Sequence, residues 1–301
     1  MRIAVYSDVH GNLPAMQAFI QHTVEKNIQY YVFLGDAVNY GGKPQECLDE
    51  IIKLGLIGHF QEINALTDVS SIQQSFAENI FGGQLQGKIL LGNNDAVCCG
   101  LEDPGYFADH AKESAIMTRD RLLSEWHKTF LCSLPIEAPM NLFNHDVADG
   151  HEDRVITIRF NHSSPGSFSL GEWHYIRPNT NMEHLEYFFD RFTEKICFVG
   201  HSHVPCAFVQ ADGQIFPVSF PLPTKNYDKA LINVGTVGQP RGHTYGCYVV
   251  IDAEQKVIEI EWFQYNIKQA MQDIYDAGLP EYNAKRLLSG TLKQNQPGAG
   301  G

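Results

Sequence analysis

Apolar runs rich in β-branched and aromatic residues recur along the first two hundred residues, and each ends in a short polar segment. RIAVYS (2–7), YYVFLG (30–35), KILLG (88–92) and KICFVG (195–200) are such runs. They lack the apolar/polar alternation of a half-exposed strand, and so read as strands buried on both faces of a mainly parallel sheet. Helical periodicity fills the intervals. It predicts helices over 12–26, with Pro14 tolerated in the first turn, over 44–55, over 111–131 and over 180–192. Strand, helix and strand at this spacing form a βαβ unit. A stretch at about 56–86 reads as a helical insertion, most clearly over 69–81.

The pattern changes in the second half. VITIRFNH (155–162) alternates as a strand. After residue 200 come CAFVQ, GQIFPV, ALINV, GCYVVID and KVIEIEWF, with turn signals ADG (211–213) and DAEQ (252–255), which suggests an antiparallel meander. Helices are expected over 266–290, and 291–301, ending QPGAGG, is expected to be a disordered tail. The pattern predicts one α/β domain over 1–290: an αββα sandwich of two mixed sheets flanked by helices.

Composition narrows the function. No run of 18 apolar residues marks a membrane span, and the start lacks the features of a signal peptide, so a cytoplasmic location is expected. The seven cysteines (47, 98, 99, 132, 197, 206, 247) show no metal-finger spacing and read as reduced thiols. The net charge is −13, with no Lys/Arg cluster of five, which argues against binding long nucleic acid. An anionic substrate would need its charge met locally, by bound metal.

The candidate chemistry lies in the polar segments: SDVHGN (7–12), LGDAVNYGG (34–42), LGNND (91–95) and GHSHVP (200–205). Ligands in α/β sheets gather where strands end. Asp8 and His10 are two apart, as are His201 and His203. Residues two apart on a strand share a face, so Asp8 and His10 could together hold one ion. Asp36 has two carboxylate oxygens and could bridge two ions, and Asn93 offers a neutral amide oxygen. Oxygen and nitrogen donors without thiolate favour Mn, Fe, Zn or Ni. Two such divalent ions about 3.5–4 Å apart can clamp the attacking and leaving oxygens of a phosphoryl transfer.

These segments resemble, in order, the D-x-H, G-D, G-N-H-D/E and G-H-x-H motifs of calcineurin-like metallophosphoesterases, in the branch of small bacterial and archaeal predicted phosphodiesterases. The resemblance spans residue 1 to about 250 and includes INVGTVGQPRG (232–242). It implies that Asp8, His10, Asp36 and His203 hold one ion, and that Asp36, Asn93, a lone His and His201 hold the second. NHSSP (161–165) resembles the family's strand-end H-G-x-P, which makes His162 the lone His; His145 and His151, in a loop-like run, are the rivals. A strand-end His is fixed by the sheet, a loop His less so.

One departure matters. The family usually has a His after the ligand Asn, and Asn94 stands there instead. An amide can donate to a phosphoryl oxygen but is no general acid. The resemblance therefore implies a phosphodiesterase acting on a small phosphoester by a metal-bridging hydroxide, with Asn94, His10 and Arg241 orienting the phosphate. Arg241 could equally pair with a carboxylate. Two alternatives stand beside this: a non-catalytic interaction scaffold, as in the eukaryotic retromer subunit that resembles this branch, or a phosphatase for phosphoproteins or dinucleoside polyphosphates. The remaining histidines (22, 59, 110, 127, 174, 184, 243) read as spectators. The aromatic run EHLEYFFDRF (183–192) reads as core. Oligomeric state is not legible.

Overall fold

Side-chain alternation along the strands creates buried faces on both sides of two sheets. The computed structural model describes residues 1–56, 89–143, 155–166 and 170–289. In β1 (Arg2–Tyr6), Ile3 and Val5 point into the space between the sheets, while Ala4 and Tyr6 point outward beneath helices. This is the period of two expected of a strand.

The first sheet runs β2 (Tyr30–Phe33), β1, β10 (Gly246–Asp252), β11 (Val257–Phe263), β8 (Leu222–Pro223), with β1 and β2 parallel and the other pairs antiparallel. The second runs β3 (Glu137–Phe143), β4 (Val155–Asn161), β5 (Ile196–Val199), β9 (Lys229–Asn233), β6 (Cys206–Ala211), β7 (Gln214–Val218). There β4, β5 and β9 are parallel neighbours and the outer pairs antiparallel. Both sheets are mixed, as expected.

Helices close the outer faces. α1 (Leu13–Glu25) and α2 (Pro44–Leu56) bury Met16, Phe19, Leu48 and Ile51 against the outer face of the first sheet. α3 (Asn93–Cys99), α4 (Asp109–Met117) and α5 (Glu125–Cys132) extend that layer. α6 (Met182–Phe189) covers the second sheet: Leu185, Phe188, Phe189 and Phe192 pack on Cys197, Val199 and Leu231, so this aromatic run is core. α7 (Ile267–Asp276) and α8 (Glu281–Ser289) pack on each other. The seven cysteines form no disulfide. Among the described residues no helix is long and apolar enough to cross a membrane.

Three expectations are corrected. The run 88–92 forms no strand within the described residues: Ile89 makes a single bridge to Phe33, and the chain then turns into α3. The helix expected over 111–131 is broken. A wide turn at Thr118–Leu122 leads to extended Leu123, and Ser124 caps a new helix by accepting from His127 N–H. The expected meander is divided between the sheets: β6, β7 and β9 belong to one, β10 and β11 to the other. Local alternation marks strands but not which sheet they join. The insertion beyond residue 56, His59, His145, His151 and the tail lie outside the described residues.

Candidate metal centre

β1, β2, β4 and β5 end at the same edge of the sandwich, and each leads into one ligand segment. The ligands do not lie on the strands themselves. Asp8, His10, Asp36, His201 and His203 all have left-handed backbone, with φ of 57°, 52°, 62°, 61° and 61°. Strand alternation is therefore not what brings the paired residues together, contrary to the sequence expectation; successive tight loops do. Such conformations cost about 1–3 kcal/mol each in non-glycine residues and persist where surroundings enforce them.

The enforcement is visible. Asp8 N–H donates to Gly35 carbonyl, and His10 N–H to Asp36 carbonyl, both at 3.0 Å, so the first two ligand loops continue the pairing of β1 and β2. The end of β9 and the segment after it brace the ligand loops. Thr236 Oγ1 donates to the Asp8 carbonyl at 2.7 Å, and Asn233 Nδ2 donates to the Gly200 carbonyl at 2.6 Å. Gly92 allows α3 to start against Asp36: a Cβ there would lie 2.1 Å from Asp36 Oδ1. Asp36 Oδ1 instead accepts the Asn94 N–H at 2.8 Å.

Three imidazoles are held the same way. Nδ1–H of His10 donates to Val38 carbonyl (3.0 Å), of His162 to Leu34 carbonyl (3.0 Å), and of His203 to Gln239 carbonyl (2.7 Å). A carbonyl only accepts, so in each neutral ring the Nε2 lone pair faces the site. The acceptors converge into two groups. Asp8, His10, Asp36 and His203 form one; Asp36, His162 and His201 form the other, with Asn93 Oδ1 3.2 Å from His162 Nε2. Asp36 belongs to both, its Oδ2 lying 3.6 Å from His10 Nε2 and 3.4 Å from His162 Nε2.

The donor set fits divalent cations. His10 and His203 approach Nε2 to Nε2 at 3.1 Å. Asp8 Oδ1 and His201 Nε2 are buried without a hydrogen-bond partner. A buried acceptor left unmet costs about 1–3 kcal/mol, and a cation meets several at once. Charge follows geometry. Burial opposes ionisation of Asp8, but His203 and His10 outweigh it and hold its carboxyl well below the usual range. Burial likewise opposes ionisation of Asp36, yet His162 brings it down to about 2. Burial disfavours protonated His162, but Asp36 raises it to about 9. Burial, with His162, lowers His201 to about 3; burial, with Arg241, does the same to His203. Both rings are thus held neutral, as ligands must be.

All seven residues named from the sequence as metal ligands are brought together, including His162 at the end of β4. Arg241 reaches His203 Nε2 at 3.4 Å rather than a carboxylate. Asn94 lies in the site but not as expected. Its Nδ2 donates to Asp36 Oδ2 at 2.6 Å and contacts Asn93 Oδ1 at 3.4 Å, and its Oδ1 accepts from Asn39 at 2.7 Å. Asn94 therefore positions a ligand carboxylate instead of offering free donors to a phosphate.

Some residues escaped the sequence reading. Asp95 accepts the N–H groups of Asp36, Val38 and Gly92, pinning the Asp36 loop to α3. Its place in LGNND was the available signal. Tyr175 stacks on His201 with centroids 4.3 Å apart. His110, read as a spectator, lines the cavity in front of the site, as do Tyr282 and Arg286 of α8. No local motif marks these.

The site opens into a cavity of about 720 Å³ that reaches Asp36, Asn93, His201 and His203. That is ample for a small ligand.

Relatives place this arrangement. An uncharacterised protein of Methanocaldococcus jannaschii is 30% identical over 291 residues, spanning 96% of this chain and 98% of its own length. A metallophosphoesterase from Sphaerobacter thermophilus, 24% identical, shares the fold with a TM-score of 0.69 over 97% of this chain and 99% of its own. A hypothetical protein of Pyrococcus horikoshii OT3, 17% identical, does so with a TM-score of 0.63 over 96% and 98%. The calcineurin-like phosphoesterase family model matches residues 1–205, a stretch that holds every clustered ligand, and the chain belongs to that family.

Proposed function

We propose that this protein is a metal-dependent phosphodiesterase that cleaves a small phosphoester at a two-ion centre. The observation that carries the reading is Asp36, whose carboxylate belongs to both ligand groups at once. Asp8, His10, Asp36 and His203 would hold one ion, and Asp36, Asn93, His162 and His201 the other. Donors of oxygen and nitrogen suit Mn, Fe, Zn or Ni. Bound there, two divalent ions supply an activated water and neutralise charge on the phosphoryl group.

The chain's own residues supply position and proton placement. Backbone carbonyls fix the tautomer of three histidines, and buried neighbours keep His201 and His203 neutral. Arg241, at the cavity wall beside His203, suits an anionic oxygen of the substrate. Asn94 holds Asp36 in place and cannot protonate a leaving group. Diesters with good leaving groups fit this lack of an acid.

The test is metal content and hydrolysis together. Purified protein loaded with Mn, Ni or Zn is screened against aryl and alkyl mono-, di- and pyrophosphate esters. Diester cleavage with two ions per chain is expected. Two bound ions with no hydrolysis of any ester would leave a scaffold on this fold, and no bound metal would sink the reading entirely.

A further inference from the structure

The cavity continues past the ligand cluster to His110, Tyr282 and Arg286, which lie outside the motif segments. A path of ring contacts leads there: His10 to Tyr40 (centroids 4.9 Å apart), Tyr40 to His110 (6.5 Å), and His110 to Tyr282 (4.3 Å). Tyr282 and Arg286 are four apart on α8, and so share one face of that helix. Other residues of the helix anchor it: Ala284 and Leu287 are buried, and Asn283 Nδ2 donates to the Tyr40 carbonyl at 3.5 Å. The C-terminal helix thus presents an aromatic ring and a guanidinium to the cavity from a fixed base.

Two guanidiniums share this cavity, Arg241 and Arg286. Among the described residues neither forms an ion pair with a carboxylate, and the Nε of each is buried without a hydrogen-bond partner. The chain has 35 acidic residues against 22 basic ones, so carboxylate partners are plentiful elsewhere. Holding two cations in one cavity without one is unfavourable, and an anion with several acceptor oxygens relieves it. Burial, and then Arg241, press the Arg286 guanidinium toward losing its proton, the direction expected of a cation that lacks its partner.

We propose that Arg286, together with Arg241, binds a second phosphate group of the substrate, one that is not cut, while Tyr282 and His110 form a wall for a planar ring attached to it. A phosphate dianion matches two guanidiniums in charge and in bidentate geometry, which a single carboxylate does not. The substrate class is then a nucleotide-like phosphoester with a phosphate beyond the scissile one. This rests on the phosphoesterase reading of the adjoining site and names the substrate of that site.

The experiment is calorimetric titration of the full chain with adenosine 5′-monophosphate, ribose 5-phosphate and adenosine, on protein as purified and after metal chelation. Adenosine 5′-monophosphate should bind in both states. Arg286→Gln should weaken it by about tenfold or more, the scale of one lost charge-assisted contact. Arg286→Lys, which keeps charge but not the fork, should lose less, and thermal unfolding checks that each variant folds. Ribose 5-phosphate should bind more weakly than the nucleotide and show the same dependence on Arg286; adenosine should show none. Nucleotide binding unchanged in both Arg286 variants would overturn the arginine site, and equal binding of nucleotide and ribose 5-phosphate would overturn the ring wall. Failure of nucleotide binding in chelated protein, with two metals and diester cleavage intact in the loaded protein, would refute this inference and leave the phosphoesterase reading standing. Nucleotide binding that depends on Arg286 without any metal uptake would do the reverse.

Discussion

Asp95 Oδ2 accepts the backbone N–H of Asp36 at 2.8 Å, across 59 residues of chain. The carboxylate of one helix-start residue thereby sets the loop that presents another. Asp95 also receives Val38 N–H at 3.1 Å and Gly92 N–H at 3.1 Å, all in buried surroundings. Asp95→Ala should leave three buried N–H groups unmet, at about 1–3 kcal/mol for each that water cannot reach. A loss of about 3 kcal/mol or more in denaturant unfolding is expected, with lower metal uptake. Asp95→Asn keeps one acceptor and should lose less. Stability within about 0.5 kcal/mol of the parent would show that the loop holds itself.

Asp36 lies in both candidate ligand groups, and its replacement by Asn removes the charge and one acceptor oxygen. Asp36→Asn should weaken both sites together, leaving fewer than one ion per chain by elemental analysis. Two ions retained would mean that Asp36 does not bridge.

His162 reaches the site from the end of β4, buried and tied to Leu34 carbonyl. His162→Ala should lower metal content and activity. His145→Ala and His151→Ala should leave both close to the parent. Damage from either loop change, with His162→Ala tolerated, would reassign the ligand.

In the metal-free protein the His162–Asp36 pair sets a pH dependence. His162 is raised to about 9, so its contribution is complete below the unfolded value of about 6.5 and disappears as pH rises through about 9. Asp36 is lowered to about 2, so its contribution holds above about 3.9 and is lost as pH falls through about 2. Chelated protein should therefore lose stability in urea between about pH 6.5 and 9. His162→Gln should flatten that slope. Metal binding near neutral pH should release protons, measurable as calorimetric heats that depend on the buffer's ionisation enthalpy. Heats independent of buffer would contradict a protonated His162.

Asn94 occupies the place of the family's acid His, with its amide committed to Asp36 and Asn39. Diester cleavage should slow steeply as leaving-group pKa rises. A flat dependence would mean that another group donates the proton, and His110, which lines the cavity, is the residue to substitute next.

How far the chain is legible varies by residue. The buried runs at β1, β2 and β5, the helix with Pro14 in its first turn and the four ligand segments are local signals, because strand burial and ligand type are written into adjacent residues. The place of His162 beside Asp36 was legible through the resemblance of NHSSP to the family's strand-end H-G-x-P. The break at Ser124 was missed because a capping residue competes with a periodic helix only once the chain has somewhere to turn. The division of the late strands between two sheets was missed for a related reason: alternation reports a face, not a partner.

The sequence by itself determined the candidate ligand types, their order and the buried runs that lead into them. Only the tertiary structure decided how they meet. Left-handed loops, braced by Asn233 and Thr236, replaced strand alternation as the means of pairing Asp8 with His10 and His201 with His203. Asn94 turned to Asp36 because Asn39 and α3 are folded against it. Arg286 reached the cavity because α8 docks on the Tyr40 loop, over 240 residues earlier in the chain. Contacts at such separation depend on the packing of whole elements, and adjacent residues carry no record of them.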